Sequence, residues 1–110
     1  MTISIKSFTS NALSAEAGKK LRKYIIEAYE QNPDETIILD FSGIVLFATM
    51  FFNASIGYLV KERRQDILDK ITTENITSLG TRTFEHSIQN AESILNEENE
   101  KIVDESINED

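Results

Sequence analysis

Between Leu39 and Gly57 runs LDFSGIVLFATMFFNASIG, the most apolar stretch of a chain otherwise rich in charge, and Asp40, Ser42, Thr49, Asn53 and Ser55 interrupt it. A buried hydroxyl, amide or carboxylate without a partner costs roughly 1–3 kcal/mol, so a purely structural segment would carry fewer of them. Asp40 either faces a ligand or, closing a strand, caps the following turn through the N–H of Ser42 or Gly43. Thr49 stands where an amphipathic segment begins. It either caps that helix or offers its hydroxyl to phosphorylation or partner contact, and the two roles are compatible. Asn53, one helical turn on, reaches back toward Thr49, reaches a partner, or faces solvent. Phe47, Phe51 and Phe52 outnumber what one narrow helix face hides, which leaves Met50 or Phe51 for a binding surface. The candidate docking residues are therefore Asp40, Ser42, Thr49, Met50, Phe51 and Asn53, with Thr49 the candidate for phosphorylation.

Other chemistry is poorly provided for. The chain has no cysteine, hence no disulfide, thiolate nucleophile or cysteine metal site, which fits a reducing compartment. His86 is the sole histidine, and nothing in the sequence groups a base or ligand around it, so a solvated helix position is the plainer reading. There is no glycine-rich phosphate loop, no Gly-x-Ser-x-Gly elbow and no His-Glu-x-x-His. The expectation is a protein that is not an enzyme and needs no metal or cofactor.

The formal charge of −8 over 110 residues is unevenly spread. Residues 97–110 hold seven acidic side chains and one lysine, for −6, which leaves −2 on residues 1–96. The expected division is a domain over 1–96 and an acidic tail over 97–110. A net negative domain repels phosphate backbones and anionic lipid, which sets nucleic acid and membrane surfaces aside as partners. No segment approaches the ~20 apolar residues of a membrane span, and MTISIKSFTS lacks a basic-then-apolar leader, so the expected location is cytoplasmic. Lys19, Lys20, Arg22 and Lys23, with Lys61, Arg63 and Arg64, form two basic clusters, either ordinary solvated faces or a docking patch for an acidic partner or for the chain's own acidic tail.

These residues need elements to position them. TISIKSF alternates as an edge strand does. Ser14 suits a helix cap, Glu16 the first turn, and Ala17, Leu21, Tyr24, Ile25 and Ala28 recur at helical spacing, predicting a helix over 15–31 that ends before Pro33. TIILDF reads as a central strand covered on both faces. IVLF is a brief extended segment or a buried loop. A second helix is expected from 49 or 50 to about 64, with Gly57 packed closely against a neighbour. A strand near 70–76 and a third helix through Phe84, Ile88, Ala91 and Leu95 complete the order, the last reaching into the tail or fraying there. Strand and helix alternate, so the fold class is α/β, a small open sheet with a parallel core and helices packed on it.

A buried strand ending ILDFSG, an apolar connection, then a hydroxyl residue opening an amphipathic helix resembles the domain of sulphate transporters and anti-sigma factor antagonists, STAS. GKKLRKYI, TIILDFSGI and ATMFFNASIGYL together are closer still to the bacterial STAS-like family of unknown function, over about residues 17–76 and on toward 95. In the antagonists the helix opens with Asp-Ser-Ser-Gly, whose first serine is phosphorylated by a kinase of histidine-kinase-like ATPase fold. Thr49 matches that place, with Ala48 and Phe51 where the aspartate and glycine stand. The resemblance implies a STAS-like fold and a regulatory protein-interaction module docking through residues 47–57, with a histidine-kinase-like ATPase as partner. The alternative, from the strand-end position of Asp40 and Thr49, is a sensor binding a small ligand or nucleotide in the crevice between them.

Overall fold

The computed structural model describes the backbone of residues 1–108 and the side chains through Glu97; Glu109 and Asp110 of the acidic tail lie outside the described residues. Three strands, β1 (Thr2–Ser4), β2 (Ile37–Asp40) and β3 (Ile71–Glu74), form one open sheet in the order β1-β2-β3. Both pairings are parallel, and their register aligns Ser4, Asp40 and Glu74 in one row at the carboxyl ends. Five helices accompany them among the described residues: α1 (Ala15–Gln31), α2 (Thr49–Ala54), α3 (Ile56–Lys61), α4 (Gln65–Leu68) and α5 (Ser78–Asn108). The fold is α/β, as the alternation of elements predicts.

The local reasons are largely those of the sequence. Ser14 stands in extended geometry before α1, and its Oγ accepts from the Ala17 N–H at 3.0 Å. The helix buries Ala17, Leu21, Ile25 and Ala28, and ends at Asn32 before Pro33. α5 starts earlier than its apolar stripe suggests, because Thr77 Oγ1 accepts from the Gly80 N–H at 3.1 Å and so caps the first turn. It then runs unbroken past residue 97 to Asn108, so the tail extends the helix.

Three expectations need correction. TISIKSF does not stay extended: β1 stops at Ser4, and Ile5–Ser7 turn as a short 3-10 helix, with Ser7 Oγ donating to the Ser4 carbonyl at 2.6 Å. Ile5 is thereby tucked fully into the core. The sheet is covered on one face only. Ile37 and Leu39 are buried, whereas Ile38, aligned with exposed Thr2 and Thr72, is half-buried on the opposite face. The apolar Ile38 makes β2 read as covered on both sides when its neighbours leave the second side open.

The helix expected from 49 to 64 is broken in two at Ser55 (φ −102°, ψ −88°). Ser55 is fully buried, and its hydroxyl donates to the carbonyls of Phe51 at 2.9 Å and Phe52 at 3.4 Å, competing with the backbone ladder there. The break lets α2 pack on both α1 and α5 while α3 follows α5. Phe52 fills the centre of this arrangement, its ring centroid 5.9 Å from Phe41, 6.2 Å from Phe47 and 5.3 Å from Phe84.

Candidate functional site

The carboxyl ends of the strands carry three loops, and the residues singled out by the sequence lie in or beside them. Asp40 ends β2. Its Oδ1 accepts from the Ser42 N–H at 3.0 Å, the Ser42 hydroxyl at 2.7 Å and the Asn75 side-chain amide at 3.0 Å. The Asn75 amide foremost, then Ser42, holds the carboxyl below the usual aspartate range. Gly43 completes the turn with φ 80°, a left-handed conformation that glycine adopts without strain. Asp40 and Ser42 are thus one structural unit, and Asn75, itself left-handed at φ 56°, ties that unit to the end of β3. Asn75 escapes sequence reasoning because it lies far along the chain from Asp40; its one local signal is an asparagine directly after a strand, a residue that tolerates left-handed geometry.

After the turn, Ile44 is buried while Val45 and Leu46 are 64% and 51% exposed. The segment is extended only in a single bridge of Phe47 to Ala12 in the β1–α1 loop. Leu46 accepts from the Ala12 N–H at 3.0 Å, and the Ala48 N–H donates to the Ala12 carbonyl at 2.8 Å. Ala48 therefore occupies the cap position of α2, and Thr49 is the first helical residue rather than the cap. Thr49 is exposed, and its hydroxyl makes no hydrogen bond with the described residues. Met50 beside it is 55% exposed.

Two other candidates are spoken for. Phe51 is fully buried, which corrects its assignment to a docking surface: α2 is flanked by α1 as well as α5, so both phenylalanines find cover. Asn53 is exposed, but its Oδ1 accepts from the hydroxyl of buried Ser87 on α5, and it makes no hydrogen bond back to Thr49. Ser87 is a second partner that only the fold brings near.

Asp40 and Thr49 share the carboxyl rim of the sheet without sharing a site. Strand alternation puts Asp40 on the side of Ile38, away from the helices, whereas Thr49 lines a shallow, open depression of about 410 Å³ with Leu79, Arg82, Thr83 and His86 of α5. His86 is exposed there. Leu79 is 50% exposed and Leu13, next to Ala12, is 40% exposed. Leu13, Val45, Leu46, Met50 and Leu79 belong to the loops or helix starts at this rim and are exposed; Met50 follows Thr49 in the chain and Leu79 lines the same depression, so apolar surface that water wets lies beside Thr49.

Part of each basic cluster is engaged locally. Arg22 lies 3.8 Å over the Tyr58 ring, Lys23 is 4.0 Å from Glu27, and Arg64 grips Asp66 with two nitrogens at 3.1 Å each. The Arg64 side chain in turn holds the Asp66 carboxyl below its ordinary range. Among the described residues no helix is long and apolar enough to cross a membrane.

Comparison with the curated proteins and with solved structures found no match. A family model does match, over residues 17–81, a span that takes in most of α1, β2, the Asp40 turn, α2 with Thr49, α3, α4 and β3. The chain belongs to the family of STAS-like domains of unknown function (DUF4325).

Proposed function

We propose that this protein is a non-enzymatic regulatory module that docks a protein partner through the rim around Thr49, and that phosphorylation of Thr49 switches the docking. One observation carries the reading. Of the five polar residues that interrupt the apolar stretch, Asp40 and Ser42 bond each other, Asn53 bonds Ser87, and Ser55 bonds the carbonyls at the helix break. The Thr49 hydroxyl alone makes no hydrogen bond among the described residues, and it is exposed next to exposed Met50 and in one depression with exposed Leu79, a few residues after exposed Val45 and Leu46. A hydroxyl with no structural work, set in wetted apolar surface, suits an acceptor within an interface.

The partner that fits is a kinase of histidine-kinase-like ATPase fold, acting in the cytoplasm where nucleoside triphosphate is supplied. The Thr49 Oγ1 would form a bond to the γ-phosphorus of ATP as the bond to the departing ADP breaks, with the hydroxyl proton passing to a base of the kinase. The product carries about −1.5 to −2 charge, which a partner packed on Leu46 and Met50 cannot desolvate without a large penalty. The non-enzymatic reading is supported by Asp40, whose carboxylate is committed to three donors that fix a turn and is poorly placed to serve as a base. A ligand crevice shared by Asp40 and Thr49 draws no support from the geometry, because the cleft at Thr49 is lined from α5 and not by Asp40.

The test is affinity capture of partners by the native protein, by Leu46→Ser/Met50→Ser and by Thr49→Glu, with Lys20→Ser on the exposed face of α1 as a control. The reading expects a partner retained by the native protein and the control and lost from the other two. Equal capture by all four would refute it.

A further inference from the structure

We infer that Arg82 and His86 of α5 bind the phosphate once Thr49 carries it, by hydrogen bonds and charge with the phosphate remaining on Thr49, tying the start of α2 to α5. The inference rests on the reading of Thr49 as a phosphorylation site and names what that modification engages within the chain itself. Thr49, Leu79, Arg82, Thr83 and His86 line one shallow, open depression of about 410 Å³. Arg82 and His86 are four residues apart on α5, so both side chains project from the same face of the helix. Both are exposed, and neither makes a hydrogen bond or ion pair with the described residues. In an acidic protein this is notable, because carboxylates abound; Glu85 lies between the two in sequence yet does not line the cleft. The Thr83 hydroxyl is committed, donating to the Leu79 carbonyl at 2.8 Å. What remains open toward Thr49 is a guanidinium, whose paired N–H groups match phosphate oxygens, and an imidazole.

Attachment decides whether such a pair is sufficient. Two exposed cationic or polar groups hold a free anion weakly, since each contact is screened by water and salt. A phosphate bound covalently to Thr49 is instead delivered at an effective concentration of order millimolar or higher, and the cost of bringing it there has been met by the fold. The cleft is therefore suited to a tethered phosphate and unsuited to a soluble one. Closing it would place charge over Leu79 as well as beside Met50, altering the apolar rim on both α2 and α5.

The experiment uses the full chain with phosphothreonine installed at position 49 during synthesis, so that no kinase is needed. Phosphorus NMR follows the titration of the phosphate, and circular dichroism follows thermal unfolding, in the native background and with Arg82→Gln or His86→Gln. Both positions are exposed, and equal unfolding temperatures for the unphosphorylated forms would establish that the variants fold alike. The clasp predicts that the phosphate titrates about half a pH unit lower in the native background than in Arg82→Gln. It also predicts a higher unfolding temperature for the phosphorylated native protein than for its unphosphorylated form, a gain lost in Arg82→Gln and reduced in His86→Gln. Millimolar inorganic phosphate should leave the unphosphorylated protein unchanged. Identical titration midpoints in the native and Arg82→Gln backgrounds would overturn the clasp. Partner capture by the phosphorylated native and Arg82→Gln proteins separates the two ideas: capture lost in both, with identical midpoints, leaves the switch standing without the clasp, while undiminished capture by both removes the switch.

Discussion

At Gly18 α1 and α2 approach too closely for a side chain, and replacing it with alanine should displace the helix that carries Thr49. A Cβ at position 18 would lie 2.3 Å from the Phe51 carbonyl oxygen and 2.9 Å from the Ala54 Cβ, against ordinary contact that begins at 3.4 Å. The first of these is backbone and cannot swing aside, so the helices must separate by about 1 Å, which forfeits up to half the dispersion energy of the atoms facing each other there. Overpacking of this kind costs about 1–3 kcal/mol, and a rigid obstacle puts Gly18→Ala at the upper end. Alanine in mid-helix returns about 0.5–1 kcal/mol. The net loss is about 2 kcal/mol, or roughly 10 °C in the unfolding temperature of a domain this size. Urea and thermal unfolding followed by circular dichroism measure it, with Gly57→Ala as the comparison. At Gly57 the nearest atoms to a new Cβ are 3.3 Å and 3.4 Å away, so that change should stay within about 1 kcal/mol of the native protein. If Gly18→Ala proves as stable as the native chain, the proposed close approach of the two helices is wrong.

Ser55→Ala should cost about 1–2 kcal/mol in urea unfolding, because it removes the hydroxyl that serves the Phe51 and Phe52 carbonyls at a fully buried helix break. Phe51→Ala should destabilise by about 3–5 kcal/mol, as befits a fully buried ring, and a loss of binding with stability intact would contradict its place in the core. Asp40 should titrate below an ordinary aspartate when its carboxyl carbon is followed by NMR, and Asn75→Gly, which keeps the left-handed backbone while deleting the amide, should move the midpoint up. Since the folded protein holds this pKa down, the associated stability is present above the ordinary aspartate value near 3.9 and is lost as the pH falls through the lower folded value. A midpoint indifferent to Asn75→Gly would mean that the amide does not reach the carboxylate in solution.

The parts of this fold that are legible in the sequence are those decided by near neighbours. Ser14 announces α1, Pro33 ends it, and Asp40 with Ser42 announces a turn, because each of these bonds closes within a few residues. The break at Ser55 is local too, yet it hides inside an apolar pattern whose helical period carries through it; a single hydroxyl overrides the period. The open face of the sheet is illegible for a different reason. Ile38 is apolar, and only the register, which sets Thr2 and Thr72 beside it, reveals that its side of the sheet is uncovered. Burial of Phe51 depends on α1 arriving at the back of α2, and the Asn75 amide at Asp40 and the Ser87 hydroxyl at Asn53 each cross more than thirty residues. Of the candidate docking residues, Thr49 and Met50 stand exposed at the rim, Asp40, Ser42 and Asn53 hold the fold together, and Phe51 lies in the core.

A photo-crosslinking side chain placed at position 50, beside Thr49, tests the docking rim most directly, with the same group at position 20 on α1 for comparison. The account predicts a discrete crosslinked partner from position 50 alone, abolished when Thr49→Glu is introduced into the same chain. A crosslink that forms equally from position 20, or one from position 50 that persists with glutamate at 49, would contradict it.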